Sequence, residues 1–291
     1  MPRVLQMCSV HEGPNRGTLP RMSHPMCAGV GLIALLLTAC PERRYPEHGT
    51  ELIFAKVDGG REVFERRLAQ LQVKARIAED AQQLSVRLVD GVDVGRVKGL
   101  LTRTARLELC EEVLDDAKAW CAEKGTGSVS VDHEPTPELG CFFSGVSAAE
   151  VKKAAAGAKV SGRVLLQQAD GRHRTFAVPK ETCFSPHFLE GKWKRDDSLG
   201  MLTIMLTLDT PAARDFEKLT GRLVKQRLLI VLDGEVESAP VVMEPIPGGR
   251  IQVTAPKLSD EQAQVLTAAL VGGPLEGVQL VEERSYGPPK L

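Results

Sequence analysis

Residues 51–73, ELIFAKVDGGREVFERRLAQLQV, hold the pattern that decides the fold. Glu51–Val57 is apolar and β-prone and stops at Asp58-Gly59-Gly60, so it predicts a strand ended by a turn. Arg61–Val73 then places Phe64, Leu68 and Leu71 at i, i+4 and i+7, one face of a helix. Downstream, Lys74–Glu79 reads as a short strand. Gln83–Val89 reads as a better one, with Leu84, Val86 and Leu88 alternating against polar neighbours. Val94–Arg103 predicts a second helix and Ala105–Cys110 (ARLELC) a fourth strand. The order β-α-β-β-α-β predicts an α+β fold with a ferredoxin-like split βαβ base, an antiparallel sheet with its helices on one face.

Beyond Cys110 the pattern loosens. Glu111–Glu123 predicts a helix, and Ser147–Ala156 predicts another, with Ser147 and Glu150 spaced as a capping box. Val160–Ala169 and Arg174–Val178 flank Asp170-Gly171, a hairpin turn. Gly, Pro and Ser break up the rest of 111–199, which predicts a small irregular insertion. Regularity returns with Leu202, Ile204, Leu206 and Leu208 in alternation. Thr210-Pro211 reads as the cap and first residue of a helix that runs to about Val224 and buries Phe216, Leu219 and Leu223. Arg227–Leu232 and Val236–Met243 flank Asp233-Gly234, a second hairpin, and Arg250–Thr254 adds a strand. Ser259–Gln262 is a capping box opening a helix that Gly272-Gly273 ends, and Val278–Glu283 closes as a strand.

Upstream of this lies Ala28–Leu37 (AGVGLIALLL), preceded by Arg3, Arg16, Arg21 and His24. Ten residues of helix cover about 15 Å, half of a roughly 30 Å hydrocarbon core, so the run fits the h-region of a signal peptide and not a spanning helix. Leu37-Thr38-Ala39-Cys40 follows and resembles a lipobox. It predicts cleavage before Cys40, acylation of that cysteine, and a mature protein held on a bilayer by its acyl chains and facing the periplasm. The expected organisation is a signal peptide over 1–39 and a lipidated tether over 40–50. A base subdomain follows over 51–110 with 257–291, and a head over 111–256, whose 111–199 part is the insertion. Which bacterial membrane carries the anchor is left open by the sequence.

The 291 residues carry a net charge of −1 and only 4% aromatic side chains. That combination argues against a nucleic-acid surface, which needs a basic face and stacking platforms. Of seven cysteines, Cys8 and Cys27 leave with the signal peptide and Cys40 is lipidated. Cys110, Cys121, Cys141 and Cys183 remain. An even number in an oxidising compartment predicts two disulfides, and pairing nearest neighbours favours Cys110–Cys121 with Cys141–Cys183. No C-x-x-C spacing points to a metal.

Two stretches carry a family resemblance. Leu206-Thr207-Leu208-Asp209-Thr210-Pro211-Ala212-Ala213-Arg214-Asp215-Phe216 is one, and Ile230–Pro240 (IVLDGEVESAP) is the other. Together they resemble the large periplasmic P1 domain of the SecD family of Sec export subunits. Glu244-Pro245-Ile246, Gly248-Gly249, Val281–Arg284 and Gly287-Pro288 agree with it, and Phe64–Leu68 is similar to the family's base subdomain. The resemblance covers about 51–110 and 200–288 and leaves 111–199 without a counterpart. It implies a base and a mobile head that contact emerging polypeptide. Family members continue into transmembrane helices that carry the proton pathway. None follows Pro288 here, so the expectation is a binding module without motor activity.

Three functions can be weighed. A module that binds exported polypeptide or the Sec translocon needs an exposed apolar edge. Ala239–Pro245 (APVVMEP) is the candidate, because Pro240 and Pro245 lack N–H groups and suit an edge strand. Pro240, Val241, Val242 and Met243 are then the candidate polypeptide contacts, by β-addition. The competing reading turns Val241 and Met243 into the head's own core. An enzyme is not expected, since no G-x-S-x-G, H-E-x-x-H or phosphate loop occurs. Asp132-His133-Glu134 reads as a solvated loop, and Asp115-Asp116 and Asp196-Asp197 read as exposed charges. No cofactor or metal is expected. The third function is a structural or interaction lipoprotein that uses the fold, and its insertion, for an unrelated envelope partner.

Overall fold

The computed structural model describes residues 48–158, 160–181, 183–195, 202–254 and 258–287. The apolar run, Cys40, Asp196-Asp197 and Pro288 lie outside the described residues. No helix among the described residues is long and apolar enough to cross a membrane.

The first six elements occur in the predicted order: β1 (Gly49–Ala55), α1 (Gly60–Gln70), β2 (Ala75–Glu79), β3 (Gln83–Val89), α2 (Val94–Thr102) and β4 (Leu107–Glu111). Asp93 caps α2 by accepting from the Arg96 N–H at 2.9 Å. Next come α3 (Leu114–Ala119), a 3-10 turn at Trp120–Ala122, β5 (Ser130–His133), β6 (Cys141–Gly145), α4 (Ala148–Gly157), β7 (Arg163–Ala169) and β8 (Arg172–Val178). The chain continues through β9 (Phe188–Arg195), β10 (Leu202–Leu208), α5 (Thr210–Arg222), β11 (Leu228–Leu232) and β12 (Glu235–Ser238). It finishes with β13 (Arg250–Thr254), α6 (Asp260–Gly272) and β14 (Leu280–Tyr286).

The base sheet is antiparallel with the order β14-β1-β3-β2, the ferredoxin-like arrangement. Its fourth strand corrects the reading of Ala105–Cys110, because β14 and not β4 takes the place beside β1. Burial explains the exchange. Leu107 to Cys110 are all buried and need cover on both faces, whereas β14 is largely exposed and suits an edge. Strand β4 instead pairs with β11, in the sheet β12-β11-β4. On the base sheet, Glu51 lies opposite both Arg87 and Arg284 and accepts from them at 2.8 and 2.9 Å. Burial alone would raise the Glu51 carboxyl, but the two guanidinium groups outweigh it and hold it below the ordinary value.

A buried arginine ties three helices together. Arg67 of α1 donates to the carbonyls of Leu100 and Arg103 at the end of α2, and of Thr104 just beyond. It also donates to Gly273 at the end of α6. These are the orphan carbonyls at the negative ends of two helix dipoles. Gly272 makes the approach possible, since a Cβ there would lie 2.3 Å from Arg67 Cγ. Burial pulls the guanidinium down to about 10, so it stays charged at neutral pH.

The stretch 111–199 is not an irregular insertion. It forms a four-stranded sheet, β5-β6-β8-β7, with its own core around Trp120, Phe143, Val151 and Ala177. It also contributes β9, which pairs with β10 in the sheet β13-β10-β9. Polar letters and Gly191 hid that strand, yet Gly191 is what lets α6 cross it: a Cβ there would sit 2.7 Å from Thr267 and Val271. A third cluster, with Phe176, Val178, Leu229 and Val231, joins β8 to β11.

Smaller expectations shift by a residue or a bond. Asp209, not Thr210, caps α5, so Pro211 is its second residue. Ser147 caps α4, but the Glu150 carboxylate accepts from Ser128 instead of closing a box. The Ser259–Gln262 box is complete.

Candidate interaction site

The strand expected over Val236–Met243 is two pieces. β12 ends at Ser238, and after Ala239-Pro240 the chain turns back along residues 224–228. Leu228 N–H donates to the Pro240 carbonyl at 2.9 Å, Lys225 N–H to the Val242 carbonyl at 2.7 Å, and Val242 N–H to the Gln226 carbonyl at 2.9 Å. These bonds lie on one side of the segment. Strand alternation therefore turns the N–H and C=O of Val241, which stands opposite Arg227, to the outer side. The same alternation decides the side chains. Val242 is 5% exposed and belongs to the core, whereas Val241 is 44% and Met243 78% exposed. The reading that buries Val241 and Met243 is thereby reversed. Pro240 is exposed, so Pro240, Val241 and Met243 share an outward edge that Val242 anchors.

A cleft of about 440 Å³ opens between the β7–β8 hairpin and the sheet beneath it. Leu107, Ile204, Leu232, Val253, Leu266 and Leu270 give it an apolar lining, and Asp170, Glu235 and Glu237 give it acidic groups. Arg103, Gln167, Gln168 and Thr254 also line it, so apolar and polar groups converge there as they do in many binding sites.

Beside the outward edge, the structure gathers four charges that the sequence did not connect. Arg227, just before β11, lies 3.3 Å from Glu112 and 2.8 Å from Glu134, and all three side chains are buried. Arg174 of β8 donates to the same Glu134 and stacks over the rings of Phe142 and Phe176 at 4.0 and 4.6 Å. Ser238 and Ala239 line the recess that these groups share. Burial pushes the Glu112 carboxyl up to about 7; Arg227 opposes this, and Glu134 adds to it. Burial likewise pulls Arg174 below its ordinary value. The arrangement can hold or release one proton near neutrality, but it presents no nucleophile.

The cluster corrects the reading of Asp132-His133-Glu134 as a solvated loop. Glu134 is interior, Asp132 accepts from Ser130 and Ser144, and only His133 is exposed. Asp115 is exposed as expected, but Asp116 is buried and caps the entry to β7 by accepting from the Ser161 and Gly162 N–H groups at 3.0 Å. The one legible trace of the cluster was Arg227 heading a continuous apolar strand, where a cation needs a buried partner.

All four cysteines predicted to form bridges do so, but not as nearest neighbours. The bridges are Cys110–Cys183 and Cys121–Cys141, one nested inside the other. Leu109 and Phe184 exchange backbone bonds at 2.8 and 3.0 Å, which sets Cys183 beside Cys110. Cys121 has moved away through α3 and meets the start of β6. Gly140 permits that approach, since its Cβ would lie 2.6 Å from the Ala117 backbone. His133 stands opposite Cys141 across β5–β6, with Nδ1 3.1 Å from Sγ. The two sulfurs and this ring lie within 4.8 Å of one another.

Residues 162–277 match the family described as SecDF, P1 head subdomain. The match opens inside the stretch for which the sequence offered no counterpart and runs on through α6. Among relatives, protein translocase subunit SecD of Magnetococcus marinus is 30% identical over 196 residues, covering 66% of this chain and 32% of that protein. The SecD of Desulfurispirillum indicum is 37% identical over 115 residues, 39% of this chain and 22% of that protein. The SecD of Syntrophobacter fumaroxidans is 42% identical over 86 residues, 29% of this chain and 16% of that protein. The chain thus spans between about a sixth and a third of these relatives' length. Two solved structures share the fold. SecDF in a super-membrane-facing form superposes with a TM-score of 0.54 at 20% identity, over 84% of this chain and 32% of that one. A second SecDF structure, of a membrane component that enhances protein export, gives 0.50 at 19% identity, over 80% of this chain and 98% of that one.

Proposed function

From the premise that the chain carries a SecD-type periplasmic P1 region, with residues 162–277 matching the P1 head, we propose that it is a periplasmic binding module of protein export. It contacts exported polypeptides or subunits of the Sec translocon. The observation that carries this reading is the outward edge at Pro240–Met243. Val241 turns its own N–H and C=O away from residues 224–228, and Val241 and Met243 flank it with exposed apolar side chains. An extended chain passing there can add backbone bonds to Val241 and seat alternate side chains on the apolar pair. The acidic, apolar-lined cleft supports the same reading. The proposal includes acylation at Cys40, which places the module on a bilayer; two or more acyl chains anchor stably where one does not.

The test is photocrosslinking in cells from a photoreactive residue at Val241, with a second probe at the exposed Val146 of the 111–199 stretch. Crosslinks from Val241 to translocon subunits or to many unrelated exported chains are expected. A single envelope partner captured from Val146, with nothing from Val241, would instead establish an interaction lipoprotein that uses the fold for another task. Labelled palmitate incorporated by the native chain and lost in Cys40→Ser tests the anchor separately.

A further inference from the structure

The two disulfides stand in different surroundings. Cys110 and Cys183 are both buried, and Cys110 packs in the cluster of Phe176, Leu229 and Val231. Cys141 is also buried, at 1% exposure, but Cys121 is exposed on its 3-10 turn. An external thiolate therefore has a path to one sulfur only. Attack at that sulfur expels the other, and the rate depends on how well the departing thiolate is stabilised. His133 Nδ1 lies 3.1 Å from Cys141 Sγ, held there by the β5–β6 register. Cys183 has a polar neighbour as well, Arg163, which donates to its sulfur at 3.3 Å. Leaving-group stabilisation alone thus does not separate the bridges; access does.

We propose that Cys121–Cys141 is a thiol–disulfide exchange site. Its partner is an extracytoplasmic dithiol reductant, with Cys121 the attacked sulfur and Cys141 the leaving group. One thiolate of the dithiol attacks Cys121 Sγ, and the Cys121–Cys141 bond breaks. Its electron pair goes to Cys141 Sγ, which lies 3.1 Å from His133 Nδ1 and is protonated by water. The second thiol of the reductant, giving its proton to water, attacks its own partner sulfur in the mixed disulfide. Cys121 is released as a thiolate that is protonated by water. Two electrons pass from the dithiol to the bridge, and the reductant leaves as a disulfide.

Opening this bridge has a defined consequence. Residues 121–141 close a loop that contains β5 and Glu134, which pairs with both Arg174 and Arg227. Reduction therefore unties the segment that carries a carboxylate of the buried charge cluster, while Cys110–Cys183 keeps β4 tied to the residues before β9. The site joins the redox state of the compartment to the docking of the β5–β6 edge.

The test uses the whole exported chain with dithiothreitol as the dithiol. Timed alkylation and mass spectrometry read each cysteine. Cys121–Cys141 is expected to open about tenfold or more faster than Cys110–Cys183. The first mixed disulfide, trapped with a monothiol, is expected on Cys121. His133→Gln is expected to slow this opening about tenfold and leave the Cys110–Cys183 rate unchanged. The second bridge is the control for folding, since a loosened variant would open both. Equal rates for the two bridges, trapping on Cys141, or an unchanged rate in His133→Gln with the control unmoved would overturn the proposal.

Discussion

Arg227 forms an ion pair with Glu134 at 2.8 Å with both side chains buried, which joins the approach to β11 to the loop after β5 in the interior. A buried charge that loses its partner costs more than the pair contributed, because the survivor remains desolvated. Arg227→Met is therefore expected to destabilise by about 3–5 kcal/mol. Arg227→Lys is expected to recover only part of this, since one ammonium lacks the fork that faces Glu112 and Glu134 together. Urea unfolding midpoints at neutral pH measure both.

Glu112 makes stability depend on pH in a defined direction. Its folded value, about 7, lies above the ordinary 4.5, so between these values the folded protein keeps a proton that the unfolded chain has lost. Stability is thus full below about 4.5 and falls as pH rises through about 7, by on the order of 2–3 kcal/mol. Glu112→Gln is expected to flatten that slope. Denaturant titrations at pH 5 and pH 7.5 on both proteins read the difference.

Removing the bridges should rank them by loop length. For sequence separations of 73 and 20 residues, restriction of the unfolded chain corresponds to about 4.4 and about 3.3 kcal/mol. Paired serine substitutions at Cys110 and Cys183 should lower the unfolding midpoint more than those at Cys121 and Cys141. Peptide mapping of the unreduced protein checks the nested connectivity directly.

The carbonyl clamp at Arg67 is the fourth test. Lysine offers one ammonium where the guanidinium serves the carbonyls of Leu100, Arg103, Thr104 and Gly273. Arg67→Lys is expected to cost about 2–4 kcal/mol. Gly272→Ala should act on the same spot, by pressing Arg67 away. In both variants, hydrogen exchange should speed up in the last turns of α2 and α6 ahead of the rest of the fold.

What could be read from the sequence was local. Leu84, Val86 and Leu88 mark their strand by period, and Asp170-Gly171 and Asp233-Gly234 mark their hairpins because both residues of each pair take positive φ. The Ser259–Gln262 box announced its helix. The α+β class and the ferredoxin-like base followed from element order. What escaped reading depends on contacts between distant segments. Nothing in LELCE says that it leaves the base sheet for β11, and nothing in Cys110 says that its partner is Cys183. Glu134 and Arg174 have the same letters buried as exposed. At the candidate edge the sequence left open which of Val241 and Val242 faces outward, and the backbone bonds to residues 224–228 decide it.

The pairing of β1 with β14 bears on how such a chain comes to be built. A polypeptide delivered from its N-terminus meets its first strand long before its last, and the residues between Ala55 and Leu280 must arrive in the interval. At about 5–20 residues per second that wait is on the order of 10–50 s, during which β1 keeps one open edge in a crowded compartment. The head can assemble while the base is still unfinished, so the base is the last part to mature and the part most in need of a holding chaperone. Until its last strand arrives, the chain is a demanding client of such help.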